Sequence, residues 1–278
     1  MSLRMSRLRE SRLGASFDGH RRRHELASVE VFCIFIGYPR SGHSLLGSLL
    51  DAHPEMVIAH ELDVLRLVAA GWPQRAIWSR IMSHDATFTA SGRQWYGYDY
   101  RVPDQWQGRV TRLRVIGDKK GGKTTERLGA RPDLLERLRR GAAVPVRLVH
   151  VVRSPYDNIT TMARRSGQTL EHAAQRYFDL CATVARVKQE TPEADVLDVR
   201  HEAFVADPRT HLARACRFLG VEASDAYLDA CTGAVFSAPR QTRADLTWDA
   251  SLVDHVAAEA ARYEFLSGYS YAEEQQPS

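Results

Sequence analysis

Runs of apolar residues along the chain alternate with amphipathic stretches in which apolar residues recur at helical spacing. Several runs are continuous, which is typical of strands covered on both faces of a parallel sheet. We predict strands at residues 31–36, 56–59, 113–116, 146–152 and 196–199. Helices are predicted at residues 44–52, 133–140, 158–165 and 170–188, from 208 to a stop at Gly220, and from 251 onward. This alternation predicts an α/β three-layer sandwich, with a central parallel sheet of about five strands flanked by helices and ligands at the strand carboxyl ends.

The length of 278 residues and the 44% hydrophobic content suit one α/β domain. The longest apolar run is too short to cross a bilayer, and no apolar segment follows the basic N-terminus as a secretory signal requires. We predict a flexible basic arm over residues 1–28 and a single domain over 29–272. Within that domain, residues 72–106 hold four of the five tryptophans and show poor helical periodicity. The segment 66–110 is therefore interpreted either as an acceptor-binding lid or as an aromatic part of the core.

The net charge of +4 is concentrated near the N-terminus, because residues 1–30 hold seven arginines and four acidic residues. The nearly neutral remainder argues against general nucleic-acid binding.

The four cysteines form no C-x-x-C pair and show no metal-ligand spacing. We expect buried, reduced thiols, no bound metal and a cytoplasmic protein. The sequence leaves the oligomeric state open.

The sharpest local signal is the loop Gly37-Tyr38-Pro39-Arg40-Ser41-Gly42-His43-Ser44, between a predicted strand and a predicted helix. Glycines permit a tight turn, so that backbone N–H groups at the helix start converge on an anion. Arg40 adds a planar cation for phosphate or sulfate oxygens. The spacing is G-x-x-x-x-G, but His43 stands where a nucleotide-hydrolysing P-loop has lysine. The missing lysine argues against a kinase or NTPase.

Residues 38–46, Y-P-R-S-G-H-S-L-L, and L-D-A-H-P at 50–54 resemble the 5′-phosphosulfate loop of sulfotransferases that use 3′-phosphoadenosine-5′-phosphosulfate, PAPS. The similarity is closest to the tyrosylprotein and Golgi-type branch, whose loop reads P-R-S-G-T-T before L-D-A-H-P. The resemblance implies a P-loop-like fold, PAPS as donor, and 3′-phosphoadenosine-5′-phosphate, PAP, as product. It implies that the 5′-phosphosulfate is bound by Arg40, Ser41, Gly42, His43 and Ser44. His43 replaces a threonine of the family, and a neutral imidazole can still donate one hydrogen bond.

Arg153 follows the predicted strand 146–152, and Thr161 comes eight residues later on the next helix. This resembles the family's 3′-phosphate site, an arginine with a serine eight residues on; threonine keeps the hydroxyl. Arg165 lies one turn further along that helix and joins the predicted donor site.

Two later segments carry a looser resemblance. In Val199-Arg200-His201-Glu202, His201 takes the place of a family tyrosine that contacts the nucleotide. The segment 239–243 corresponds to a basic loop that closes over the nucleotide, which adds Arg240 and Thr242 to the predicted donor-binding residues.

Glu61 lies twenty-one residues after Arg40. The catalytic base of the tyrosylprotein branch has this spacing, so the resemblance implies that Glu61 accepts the acceptor's proton. The neighbouring His60 is the rival base, because an unperturbed imidazole titrates nearer neutrality.

Lys119 ends the third predicted strand and resembles the family's transition-state lysine, with Lys120 and Lys123 as alternatives. Together with Arg40 and His43, it is predicted to stabilise charge on the sulfuryl oxygens and the leaving phosphate.

The sequence therefore predicts an enzyme that moves a sulfuryl group from PAPS to an acceptor hydroxyl by in-line displacement. The expected acceptor is a small-molecule, sugar or lipid hydroxyl, and no nucleic acid. Two other functions stay open: a P-loop kinase using ATP, and a nucleotide-binding module without catalysis.

Overall fold

The computed structural model describes residues 11–236 and 238–272. Its strands are β1 (Val31–Gly37), β2 (Met56–His60), β3 (Gln94–Trp95), β4 (Tyr98–Asp99), β5 (Val115–Lys119), β6 (Val146–Val152) and β7 (Val196–Arg200). Five of them form one parallel sheet in the order β2-β5-β1-β6-β7. Strands β3 and β4 form a separate antiparallel hairpin.

Helices cover both faces of the sheet. They are α1 (Arg12–Arg21), α2 (Arg23–Leu26), α3 (His43–Asp51), α4 (Val64–Ala69), α5 (Gln74–Ala90), α6 (Gly122–Ala130), α7 (Asp133–Ala142), α8 (Pro155–Ser166), α9 (Leu170–Gln189), α10 (His201–Ala206), α11 (Pro208–Phe218), α12 (Asp225–Gly233) and α13 (Ala250–Ala260). Short 3₁₀ turns lie at Glu193–Asp195, Arg243–Asp245 and Glu264–Leu266.

The central strand β1 shows why the apolar runs are continuous. Its side chains alternate in direction. Phe32, Ile34 and Ile36 pack into one apolar cluster, whereas Cys33 and Phe35 pack into the cluster on the opposite face. The predicted α/β architecture with a five-stranded parallel sheet is confirmed. The four cysteines are free and buried, as expected.

Strand β5 differs from the predicted strand at 113–116, since it begins at Val115 and continues to Lys119. The polar residues at its end conceal the strand in the sequence, yet the whole strand is buried. The Asp118 carboxylate accepts hydrogen bonds from the backbone N–H groups of Leu62 and Val64, at 3.1 and 2.8 Å. Tertiary contacts thus satisfy polar groups that would otherwise make burial costly.

The N-terminal segment and the aromatic segment contain helices that the sequence did not predict. Residues 12–26 form α1 and α2, whereas a flexible arm is expected over 1–28; residues 1–10 lie outside the described residues. A Cβ added at Gly19 would lie 2.6 Å from the carbonyl oxygen of Arg75, so α1 approaches the start of α5 closely. Helix α5 itself occupies much of the segment 66–110. None of the helices in residues 11–236 and 238–272 has the length and hydropathy to span a membrane.

Candidate active site

A cavity of about 1340 Å³ opens at the carboxyl ends of the central strands. At the edge of the sheet, its wall is formed by the loop after β1 and by the residues that follow β2 and β5. The β3–β4 hairpin, the start of α6, the exposed side of α8 and residues near 236–242 complete the wall. Parallel topology brings these segments to one edge of the sheet. Nine lysine and arginine side chains of the described residues line the cavity, against four carboxylates, so its field favours an anionic ligand.

The loop after β1 has the backbone geometry that its glycines predict. Gly37 and Gly42 have φ angles of 131° and 99°, and Gly42 is the N-cap residue of α3. A Cβ at Gly42 would lie 2.4 Å from Nδ1 of His201, so glycine is required for both the backbone and the close packing. Arg40 also has a positive φ, of 71°. The N-terminus of α3 therefore faces the cavity, as an anion-binding helix start should.

The side chain of His43 lies behind this loop and does not extend into the anion site. Its Nε2 is 2.9 Å from the carbonyl oxygen of Ile36, and its Nδ1 is 3.0 Å from Oγ of Ser41. Because a carbonyl oxygen only accepts, Nε2 carries the proton and donates to Ile36. Burial lowers the pKa of His43 to about 3, so the ring is neutral. The Nε2 proton of His43 is therefore donated to the Ile36 carbonyl, and the predicted contact between the His43 side chain and the donor stays a prediction.

Lys119 connects the loop with the carboxylate after β2. Its Nζ lies 2.8 Å from Oγ of Ser44 and 2.5 Å from Oε1 of Glu61. The second carboxylate oxygen of Glu61 is 2.8 Å from Nζ of Lys120. Lys123 instead pairs with Glu126, at 2.8 Å. Of the three candidate lysines, Lys119 and Lys120 therefore contact Glu61, and Lys119 also contacts the loop.

The charges of this cluster are coupled. Burial alone would raise the pKa of Glu61, but the ammonium groups of Lys119 and Lys120 outweigh it and hold that pKa below its ordinary value. Burial lowers the pKa of Lys119, and the adjacent Glu61 carboxylate opposes this shift. Glu61 is therefore an ionised carboxylate that can accept a proton.

His60 has a different environment from Glu61. Its ring stacks on Phe88 at a centroid distance of 4.4 Å and lies edge-on to Trp95 at 5.4 Å. Burial and the nearby Lys119 hold the pKa of His60 far below its ordinary value. Glu61 lines the cavity, whereas the His60 ring is enclosed by aromatic side chains. The geometry favours Glu61 as the proton acceptor.

Arg153 and Thr161 both contact Thr242, in the segment 239–243. The guanidinium of Arg153 donates to the carbonyl oxygens of Arg40, at 3.3 Å, and Arg240. Thr242 Oγ1 lies 2.9 Å from Oγ1 of Thr161. The two predicted halves of the donor site are therefore joined directly, because Arg153 contacts the backbone of the first loop.

The remaining predicted donor residues surround this pair. His201 and Arg165 line the cavity, and the ring of His201 covers Gly42. The Arg240 side chain is 68% exposed and lies 3.6 Å from Asp245. The Thr242 N–H and hydroxyl donate to Asp157, which fixes the segment to α8.

The sequence reasoning missed the individual role of the hairpin side chains. Trp95, Tyr96, Tyr98 and Tyr100 line the cavity opposite the basic wall, and Phe236 meets Tyr98 edge-on at 6.4 Å. The Arg40 guanidinium lies 4.6 Å from the centroid of the Tyr96 ring. The signal was the dense aromatic composition of 95–100, but no motif indicated which rings face the cavity.

Residues 137–225 match the model of a known family, described as "Sulfotransferase family". This segment, about a third of the chain, is similar to the sulfotransferase family. It includes Arg153, Thr161, Arg165 and His201, four residues of the predicted donor site. The match does not distinguish branches of the family, so the tyrosylprotein and Golgi-type assignment stays a prediction. No curated protein sequence matches the chain significantly.

Two solved structures of sulfotransferases share the fold, and a third is a weaker match. The sulfotransferase domain from the curacin biosynthetic pathway is 15% identical, with a TM-score of 0.53 over 85% of this chain and 98% of that one. Sulfotransferase STF1 from Mycobacterium tuberculosis H37Rv is 14% identical, with a TM-score of 0.50 over 90% and 81%. Mouse sulfotransferase SULT7A1, solved in complex with PAP, is 12% identical, with a TM-score of 0.44 over 84% of each chain. At these identities the likeness shows the fold alone.

Proposed function

We propose that this protein is a PAPS-dependent sulfotransferase that transfers a sulfuryl group to an acceptor hydroxyl. The observation that carries the proposal is the contact chain Ser44–Lys119–Glu61, which joins the anion-binding loop to a buried cation and an ionised carboxylate. These groups meet where parallel strands end, at the edge of the sheet that binds ligands in such folds. The family match over residues 137–225 supports the same reaction class.

The donor's 5′-phosphosulfate fits the start of α3, where backbone N–H groups and Arg40 supply donors. The 3′-phosphate fits Arg153 and Thr161, with Arg165 and the segment 239–243 beside them. The Arg153 guanidinium contacts carbonyl oxygens, which accept weaker hydrogen bonds than a phosphate does. A phosphate can therefore replace these partners with a net gain in interaction.

The acceptor oxygen would attack sulfur in line with the bond to the 5′-phosphate. A sulfur–oxygen bond to the acceptor forms while the bond to the phosphate oxygen breaks, and its electron pair leaves with PAP. Glu61 takes the hydroxyl proton. Arg40 and Lys119 stabilise the charge that develops on the sulfuryl and phosphate oxygens.

The acceptor would bind between Glu61 and the aromatic hairpin, within the segment 66–110. Trp95, Tyr96, Tyr98 and Tyr100 supply an apolar wall whose rings suit the carbon skeleton of a small molecule, sugar or lipid. The segment 66–110 then has two roles, one in the core and one at the cavity. Trp78 on α5 belongs to the core, whereas the hairpin faces the cavity.

Calorimetry with EDTA present tests the donor. The protein should bind PAP without Mg²⁺ and much more tightly than ATP, because His43 replaces the P-loop lysine and Arg153 supplies a 3′-phosphate anchor. Transfer of radioactive sulfate from labelled PAPS across phenols, alcohols, sugars and lipids then tests turnover. Equal affinity for PAP and ATP, or a strict Mg²⁺ requirement, contradicts the proposal and favours the kinase alternative. PAP binding without transfer to any acceptor favours the inactive module.

A further inference from the structure

Six large hydrophobic side chains of the described residues are exposed. Four of them, Trp95, Tyr96, Tyr98 and Phe236, line the candidate active site. The other two lie on α1: Leu13 is 82% exposed and Phe17 is 66% exposed. They are four residues apart, so they lie one turn apart on the same face of the helix.

The opposite face of α1 holds the helix against the domain. Ala15 is buried, and Gly19 approaches the backbone of Arg75 so closely that a Cβ would not fit. Small residues therefore attach α1 to α5, while the larger side chains of Leu13 and Phe17 point outward. Folding of the domain does not bury these two side chains, which is unusual for an element that otherwise packs closely.

Positive charge surrounds the two apolar side chains. Arg12, His20, Arg21 and Arg23 are exposed on the same short segment. Residues 1–26 contain seven arginines and three acidic residues, a net +4, which equals the net charge of the whole chain. The remaining residues carry no net charge, so the excess positive charge lies in the N-terminal segment. We call Arg12, Leu13, Phe17, His20 and Arg21 the basic helix face.

We propose that the basic helix face docks on an anionic lipid surface. Leu13 and Phe17 would enter the boundary between headgroups and acyl chains, and the arginines would bind lipid phosphates and carboxylates. A second copy is disfavoured, because two such faces would bring like charges together. Nucleic acid is disfavoured because a phosphate backbone offers no apolar surface for Leu13 and Phe17. The proposal is independent of the proposed enzymatic activity.

Co-sedimentation of the full chain with vesicles tests it. Binding should occur with vesicles that contain phosphatidylserine, fail with phosphatidylcholine alone, and weaken with added salt. Leu13→Ser/Phe17→Ser should weaken binding about tenfold or more, since the inserted apolar surface is lost. Arg12→Glu/Arg21→Glu should weaken it by at least roughly fivefold for each charge. The matched control Arg131→Glu/Arg140→Glu makes the same charge change on exposed residues outside α1 and should bind more tightly than the Arg12/Arg21 variant.

A probe on the helix locates the contact. The native cysteines are buried, so Phe17→Cys introduces one reactive exposed thiol for an environment-sensitive dye. Its emission should shift to the blue with phosphatidylserine vesicles. No shift, equal binding by the two charge-reversed variants, or dimerisation that Leu13→Ser/Phe17→Ser abolishes without vesicles would each overturn the proposal. Equal affinity for double-stranded DNA and for the vesicles would also overturn it.

Discussion

Nζ of Lys119 lies 2.5 Å from Oε1 of Glu61, although the two residues are 58 positions apart in the sequence. They meet because β2 and β5 are adjacent parallel strands that end at the same edge. In this contact each charge neutralises the other. An anionic sulfuryl group near Ser44 would compete with Glu61 for Lys119, and would leave the carboxylate free to accept a proton.

Glu61→Gln should lower turnover by about 10²–10⁴-fold and leave PAP affinity nearly unchanged, because glutamine keeps the shape but cannot accept the proton. His60→Ala should have the smaller effect on turnover, measured with labelled PAPS. Acceptors with acidic hydroxyls, such as nitrophenols, should lose less activity in Glu61→Gln. Full activity of Glu61→Gln together with an inactive His60→Ala would identify His60 as the base.

The dependence of kcat/KM on pH should reflect the ionisation of Glu61. Its lowered pKa keeps the base ionised at neutral pH, so the acid limb of kcat/KM that belongs to the base should lie below the ordinary carboxylate range. Lys120→Met removes one ammonium group from the carboxylate, which favours the protonated form and raises the pKa of Glu61. The acid limb should therefore move to higher pH in Lys120→Met. Comparison of the two profiles with one donor cancels the titration of the donor's own phosphate; identical profiles argue against Glu61.

Arg153→Ala should weaken PAP binding by several kcal/mol, as expected when a charged donor to a phosphate is lost. Adenosine-5′-phosphosulfate lacks the 3′-phosphate, so its affinity should change little. Thr161→Val should weaken PAP binding less, because it removes a neutral hydroxyl. Calorimetry with both nucleotides measures the difference. Equal loss for both would indicate that Arg153 acts through its contacts with Arg40 and Arg240.

His43→Ala should destabilise the protein by about 1–3 kcal/mol, because the carbonyl of Ile36 loses its buried donor. His43→Gln, which keeps an N–H donor, should restore part of this loss. PAP affinity should change little in His43→Gln, since the ring lies behind the loop. Urea unfolding and calorimetry test the two properties separately. A large loss of PAP affinity in a stable His43→Gln protein would instead support the prediction that the His43 side chain contacts the donor.

Arg93 connects the aromatic hairpin to the helix of the anion-binding loop. Its guanidinium is 1% exposed and lies 2.7 Å from Asp51, at the end of α3, and 2.9 Å from Asp85 on α5. Arg93→Met leaves buried carboxylates without their cation and should cost about 3–5 kcal/mol of unfolding free energy. Arg101→Met removes an exposed pair with Asp99 on the same hairpin and should cost far less. Similar unfolding midpoints in urea for both variants would contradict this role.

The sequence by itself determined the sheet and indicated the two candidate anion-binding segments. Continuous apolar runs predict buried parallel strands, and the glycines of 37–42 predict a turn whose helix start binds an anion, because both signals depend on neighbouring residues. The resemblance to the family's 3′-phosphate site also indicated Arg153 and Thr161, and both side chains contact Thr242 in the structure.

Only the tertiary structure decided which side chains meet. The sequence favoured Lys119 but left Lys120 and Lys123 as alternatives, and strand adjacency brings Lys119 and Lys120, but not Lys123, to Glu61. It could not foresee that His43 turns behind the loop, because the space for its ring is left by Gly37 and by Gly121, which is distant in sequence. The polar end of β5 and the helix α1 were missed for the same reason. Their stability comes from hydrogen bonds and close packing with segments far along the chain, which local hydrophobic periodicity does not record.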